Sequence, residues 1–291
     1  MNGKLTKNNR LMRWASFASV TVAIVLILTK AAAYFITGSM AVLSTLFDSM
    51  QDLMTSAINV FAIKQATEPA DSKHRFGHGK AQAIGGLVQS GIIAISVIFL
   101  FMTAIDRFIN PRGLIQVGWG LWITGFAIVI TFVLISFQNY VLRRTKSLSI
   151  AADRAHYTGD GLMNIGVIVS MLATYYLDWL WIDALFGACV AFYLLNIVYH
   201  IIIEALAVLM DSEMPNEFRS KVKETVLSFK DVSAIEELKT RSSGDTVFIQ
   251  MNVRLPGNLT LRRAHRITTD IESALQSLFP ETVVIIHPEP Q

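Results

Sequence analysis

The feature that most limits how this chain can fold is a set of six apolar stretches, each near the ~20 residues an α-helix needs to cross a bilayer. They run over residues 14–36, 41–63, 81–109, 117–142, 149–177 and 180–209. All seven prolines fall outside them. Each stretch can therefore be an unbroken helix with its backbone N–H and C=O groups satisfied internally, as lipid requires. Composition agrees. The chain is 53% hydrophobic and only 16% charged, against about 25% charged for soluble domains.

The first stretch follows Lys4, Lys7, Arg10 and Arg13, and Ala31–Ala33 offers small residues of the kind found at signal-peptide cleavage sites. Its apolar run exceeds the ~7–15 residues of a signal peptide, and five more spans follow, so it reads as a retained helix. Lys and Arg then set the orientation. The N-terminal tail, the link between spans 2 and 3 (Lys64, Lys73, Arg75, Lys80) and the link between spans 4 and 5 (Arg143, Arg144, Lys146, Arg154) carry twelve between them. The opposite side carries two, Arg107 and Arg112. The positive-inside rule then places both termini in the cytoplasm.

After Asp211 the chain turns polar, which divides it into a membrane part, 1–211, and a soluble part, 212–291. In the soluble part, helical spacing at 216–229 and 261–279 and strand patterns at 234–240, 246–255 and 282–287 give the order αββαβ, with a turn at 242–245. The expected fold is an all-α six-helix transmembrane bundle followed by a small α+β layer with its helices on one sheet face.

Charges at bilayer depth cost roughly 2.5–3.5 kcal/mol each on insertion scales, so they need a reason. Span 2 carries Asp48 and Asp52, four apart and on one helical face with Ser44, Thr45, Gln51, Thr55, Ser56 and Asn59. Span 5 carries Asp153, His156, Asp160 and Asn164 at spacings of three and four. The two helices run in opposite directions, and at ~1.5 Å per residue their acids reach similar depths. Asp48, Asp52, His156 and Asp160 make a four-ligand set suited to tetrahedral Zn²⁺. Polar residues also glue membrane helices together, but three acids without a compensating base at the same depth repel one another. Lys30 in span 1 is expected to snorkel toward the outer surface.

Three further groups carry weaker signals. Asp71, His74 and His78 lie within eight residues of the link between spans 2 and 3, a ligand-like spacing that loops also show without a metal. Glu236, His265, His287 and Glu289 are candidate ligands scattered through the soluble part. Cys189, the one cysteine, cannot form an internal disulfide and is expected to be a buried, inert thiol. A net charge of +3 makes nucleic acid a poor partner, and no Gly-rich phosphate loop of the P-loop type is present. An intramembrane metalloenzyme would need an open coordination position and a general base, and usually richer histidine ligation. A passive channel or a metal sensor is the other alternative.

The motifs Asp48-Ser-Met-Gln-Asp52, His156-Tyr-Thr-Gly-Asp160 and Pro69-Ala-Asp-Ser-Lys-His-Arg-Phe-Gly-His-Gly-Lys80 resemble those of the cation diffusion facilitators, of the bacterial zinc/iron exporter type. The likeness runs through the soluble part, including Phe248-Ile-Gln250 and Ile285-Ile-His287. It implies a homodimeric, proton-coupled exporter of divalent metal in the bacterial inner membrane, and not an enzyme. The metal would be Zn²⁺ foremost, with Fe²⁺, Cd²⁺ or Co²⁺ as others. Asp48, Asp52, His156 and Asp160 would form the transport site, and Asp71, His74 and His78 a loop site. Lys80 and Asp211 would be a charged pair tying the membrane part to the dimer. The soluble part would be a ferredoxin-like domain dimerising around metal. There this chain departs from the pattern, with Glu236 and Asn252 in place of histidines and Glu289 in place of an aspartate. Weaker or single metal occupancy is expected at that site.

Overall fold

A computed structural model describes residues 7–37, 40–110, 119–177, 179 and 181–291. Lys4, Arg112, Val117 and Leu180, used in the reading of spans and orientation, lie outside the described residues. Two compact units form, one of Met1–Pro69 with Ala81–Ala205, the other of Ala70–Lys80 with Leu206–Gln291. The link between spans 2 and 3 thus packs with the C-terminal residues, and the division falls inside the last long helix.

The first unit is built from α1 (Lys7–Thr37), α2 (Met40–Ala66), α3 (Ala81–Ile109), α4 (Trp119–Thr145), α5 (Leu148–Leu177) and most of α6 (Ile182–Leu209). Helices α1, α3, α4 and α6 are long and apolar enough to cross a membrane. The other two are the carriers of the acidic stripes, whose charges lower their hydropathy. Outward faces are apolar, with Phe35 84% and Phe99 65% exposed, a surface that suits lipid rather than water.

Inside the unit the helices pack through small and polar residues. Ile93 and Val97 of α3, Ala152 and Ala155 of α5, and Val190 and Leu194 of α6 share one apolar cluster. Cys189 departs from its expected burial. Gly187, Val190 and Ala191 take the packed face of α6 and leave the thiol exposed on the other side.

The second unit contains α7 (Asn216–Leu227), β1 (Ala234–Ser243), β2 (Thr246–Leu255), α8 (Leu261–Leu278) and β3 (Thr282–Pro290), in the order αββαβ. Strands β1 and β2 pair antiparallel and β2 and β3 parallel, so β2 is central. Ile267, Ile271 and Leu275 fall on one face of α8 and are buried with Ile249, Met251 and Val253 of β2. Burying each such side chain contributes about 1.5–3 kcal/mol. Strand β1 runs through Ser243, which pairs with Thr246, so the hairpin turn is only Gly244–Asp245. Gly244 sits at φ 61°, a conformation that costs glycine little.

Candidate metal centre

In the first unit, α2 and α5 bring Asp52, His156 and Asp160 together, with one ligand atom from each lying within 4.8 Å of the other two. Spacing along α5 explains half of this, since residues four apart stack on one helical face. Nε2 of His156 lies 3.0 Å from Oδ1 of Asp52 and 3.7 Å from Oδ2 of Asp160. A single ring nitrogen therefore faces two carboxylates on different helices. Asp52 and His156 are each 8% exposed, and the facing oxygen of Asp160 is buried without a hydrogen-bond partner. Buried acceptors of this kind are costly unless a proton or a cation completes them.

Asp48 lines the same cavity of about 230 Å³, together with Gln51 and Ser96. Its carboxylate does not join the close cluster of three. Gly159 lets α5 approach α6 beside the cavity, where an added methyl would lie 2.8 Å from Cδ1 of Leu194.

The rest of the stripe on α5 turns elsewhere. Oδ2 of Asp153 accepts hydrogen bonds from Oγ of Ser19 on α1 (2.5 Å) and Nε2 of Gln138 on α4 (2.8 Å). Tyr157 shares a 2.9 Å hydrogen bond with Ser56, and Ser149 donates to Asn59 at 2.6 Å. Thus the polar residues of α2 below Asp52 fasten it to α5 as interhelical hydrogen bonds do in membranes. Ser19 and Gln138 were not singled out from the sequence. Polar residues within apolar spans were the available signal.

In the second unit, Asp71, His74 and His78 also form a group whose ligand atoms lie within 4.8 Å of one another. Oδ1 of Asp71 accepts from the backbone N–H groups of Lys73 (2.8 Å) and His74 (2.6 Å). The His74 amide, and after it that of Lys73, holds the Asp71 carboxyl below the usual carboxylate range. Nε2 of His78 is 3.0 Å from Nδ1 of His74 and 3.4 Å from Oδ2 of Asp71. Lys80 pairs with Asp211 at 2.8 Å, and Arg241 reaches the same carboxylate at 3.2 Å.

Glu236, His265, His287 and Glu289 form no comparable group among the described residues. Glu236 pairs with Arg254 at 2.9 Å, and Glu289 accepts from Asn252 at 2.8 Å. His287 stands opposite Asn252 in the parallel ladder, and His265 is exposed on α8. The substitutions that departed from the expected pattern are those that now tie the acids to neighbours within the sheet.

Residues 16–210 match the cation efflux transmembrane domain, and residues 214–291 the cytoplasmic domain of cation efflux proteins. The chain belongs to the cation efflux family. It is 37% identical over 281 residues to the cation-efflux pump FieF of Shigella boydii, covering 97% of this chain and 93% of the pump. The corresponding pump of Salmonella choleraesuis is 36% identical with the same coverage. Among solved structures, the metal-bound C-terminal domain of the CzcD transporter from Thermotoga maritima overlies 26% of this chain and 94% of its own, with 22% identity and a TM-score of 0.26. This cation efflux protein is accordingly a multi-pass membrane transporter with a cytoplasmic C-terminal domain, and not an enzyme. The cytoplasmic family domain begins at residue 214, within the second compact unit.

Proposed function

We propose that this cation efflux protein is a proton-coupled antiporter that exports divalent metal, Zn²⁺ foremost, from the bacterial cytoplasm through Asp48, Asp52, His156 and Asp160. The observation that carries the reading is Nε2 of His156 held between carboxylates of two helices at the edge of a cavity. Imidazole nitrogen with carboxylate oxygens suits zinc and also admits Fe²⁺, Cd²⁺ and Co²⁺.

These ligands must lose their protons to hold the metal. With the cavity open to the cytoplasm, the ion displaces protons from His156 and the acids. Once α2 and α5 have rocked to open the cavity outward, protons compete for the same atoms and drive the ion off. An imidazole suits such an exchange, because the same ring nitrogen can hold either the metal or a proton. The proton gradient supplies the free energy.

Asp71, His74 and His78 would hold a second ion in the cytoplasmic part, and the Lys80–Asp211 pair would steady the connection to it. The chain would work as a homodimer in the inner membrane, both termini cytoplasmic, through the cytoplasmic domain. That domain's own metal site, drawn from Glu236, His265, His287 and Glu289, would be weak in this chain.

The test is zinc uptake into proteoliposomes under an imposed pH gradient. Asp52→Ala and Asp160→Ala should abolish uptake, and collapse of the gradient should slow it in the unaltered protein. Undiminished zinc flux in either variant would end the reading. Flux indifferent to the gradient would favour a channel.

A further inference from the structure

Lys30 of α1 turns across to α2. Its ammonium donates to Oγ of Ser49 at 2.7 Å and to the carbonyl of Thr45 at 3.0 Å, both on α2. Ser49 is fully buried and stands in sequence between Asp48 and the buried Asp52. Among the described residues the hydrogen bonds of the ammonium go to neutral oxygens, so its charge is not neutralised there and is anchored on the residue next to Asp48. An intramembrane lysine is costly and calls for a function.

Charge counting indicates what that function is. Deprotonated ligands Asp48, Asp52 and Asp160 carry three negative charges around a neutral His156, and a dication supplies two positive ones. One carboxylate charge is left over, and in a medium of low effective dielectric it would hold the metal strongly.

We propose that Lys30 is the fixed countercharge of the metal site: anchored on Ser49, it cancels the carboxylate charge a dication leaves over and, by repelling the ion, keeps it releasable. This deepens the exporter reading and rests on it. The role is that of a positioning and affinity-setting residue, since the ammonium has no lone pair with which to bind the metal. It predicts a trade between affinity and turnover. Neutralising Lys30 should tighten zinc binding by about tenfold or more, since the full repulsion of one fixed charge is lost, and should slow zinc release.

The experiment uses the full chain in lipid nanodiscs. Zinc affinity is measured by competition with a chelating dye and counted as the binding that Asp52→Ala abolishes. Flux is measured in proteoliposomes. Lys30→Gln should bind about tenfold tighter and transport more slowly, whereas Lys30→Arg, which keeps the charge, should stay near the unaltered protein. Lys30→Met supplies a second neutral side chain of similar length should the glutamine variant fold poorly. Unchanged or weakened affinity in the neutral variants, with Asp52-dependent binding intact in the unaltered chain, overturns the countercharge alone. Absence of any Asp52-dependent zinc binding in the unaltered chain removes the site itself, and the countercharge with it.

Discussion

Nε2 of His156 and Oδ1 of Asp52 lie 3.0 Å apart although 104 residues separate them in the chain. The contact joins α5 to α2 at the cavity, and the second carboxylate on the same nitrogen belongs to Asp160, one turn further along α5. The arrangement mixes one nitrogen with oxygens, and selectivity among metals should depend on that nitrogen.

Replacing it by oxygen tests this. His156→Asp would offer only hard ligands, which suit Mn²⁺ and disfavour Zn²⁺ relative to imidazole. Zinc flux should fall at least about tenfold relative to manganese flux. Parallel uptake assays with the two metals would decide it. An unchanged ratio would show that His156 does not set the metal profile.

Asp48 and Asp52 should not be equivalent. Asp52 stands in the close cluster, whereas Asp48 lines the cavity outside it. Removing a buried charged partner costs several times more than removing a peripheral one. Asp48→Asn should therefore weaken zinc binding less than Asp52→Asn, by about a factor of ten. Titration of the two variants under identical conditions would check the ranking, and equal losses would mean that Asp48 moves fully into the ligand set when metal binds.

The loop group depends on a close backbone approach. A methyl on Gly79 would lie 2.3 Å from the carbonyl oxygen of Ser243 in the hairpin, whereas one on Gly77 meets nothing within 4 Å. Gly79→Ala must push the loop away and should cost roughly 1–3 kcal/mol. Gly77, at φ 83°, should cost only the strain of a left-handed alanine, about 1–2 kcal/mol. Thermal unfolding would separate the two. The more telling readout is zinc retained by Asp71, His74 and His78, which should fall more in Gly79→Ala.

Asp211 gives a pH dependence. The hydrogen bond from Lys80, supported by Arg241, holds its carboxyl below the ordinary range. A lowered folded value means that the pair stabilises the protein above the unfolded carboxylate value of about 3.9. That stability is lost as pH falls through the lower folded value. Asp211→Asn should melt earlier than the unaltered chain at pH 7, and the gap should close in strong acid. A gap that stays constant as pH falls would mean that the carboxylate charge is not what stabilises this corner.

Several features of the site are legible in the residues themselves. The four-residue spacing from His156 to Asp160 places both on one face of a helix wherever that helix goes. The same holds for Asp48 and Asp52, and for the apolar positions of α8. Other features depended on neighbours that local spacing does not specify. Asp153 lies on the same stripe as His156 and Asp160 by periodicity, yet it faces Ser19 and Gln138, because it sits about 10 Å along the helix from Asp160, level with different neighbours. The exposure of Cys189 depends on neighbours in the same way, since in a helix apolar all round the sequence does not say which face meets protein.

Helix number, the αββαβ order and the acidic stripes were determined by the sequence alone, because span length and periodicity are local properties that any neighbour must accept. Only the tertiary structure decided that Asp52, and not Asp48, closes on His156, that Lys30 anchors on Ser49, and that Asn252 and Arg254 engage Glu289 and Glu236. Those outcomes turn on how far two helices or strands are rotated and slid against each other, and that is settled by packing between residues distant in the chain.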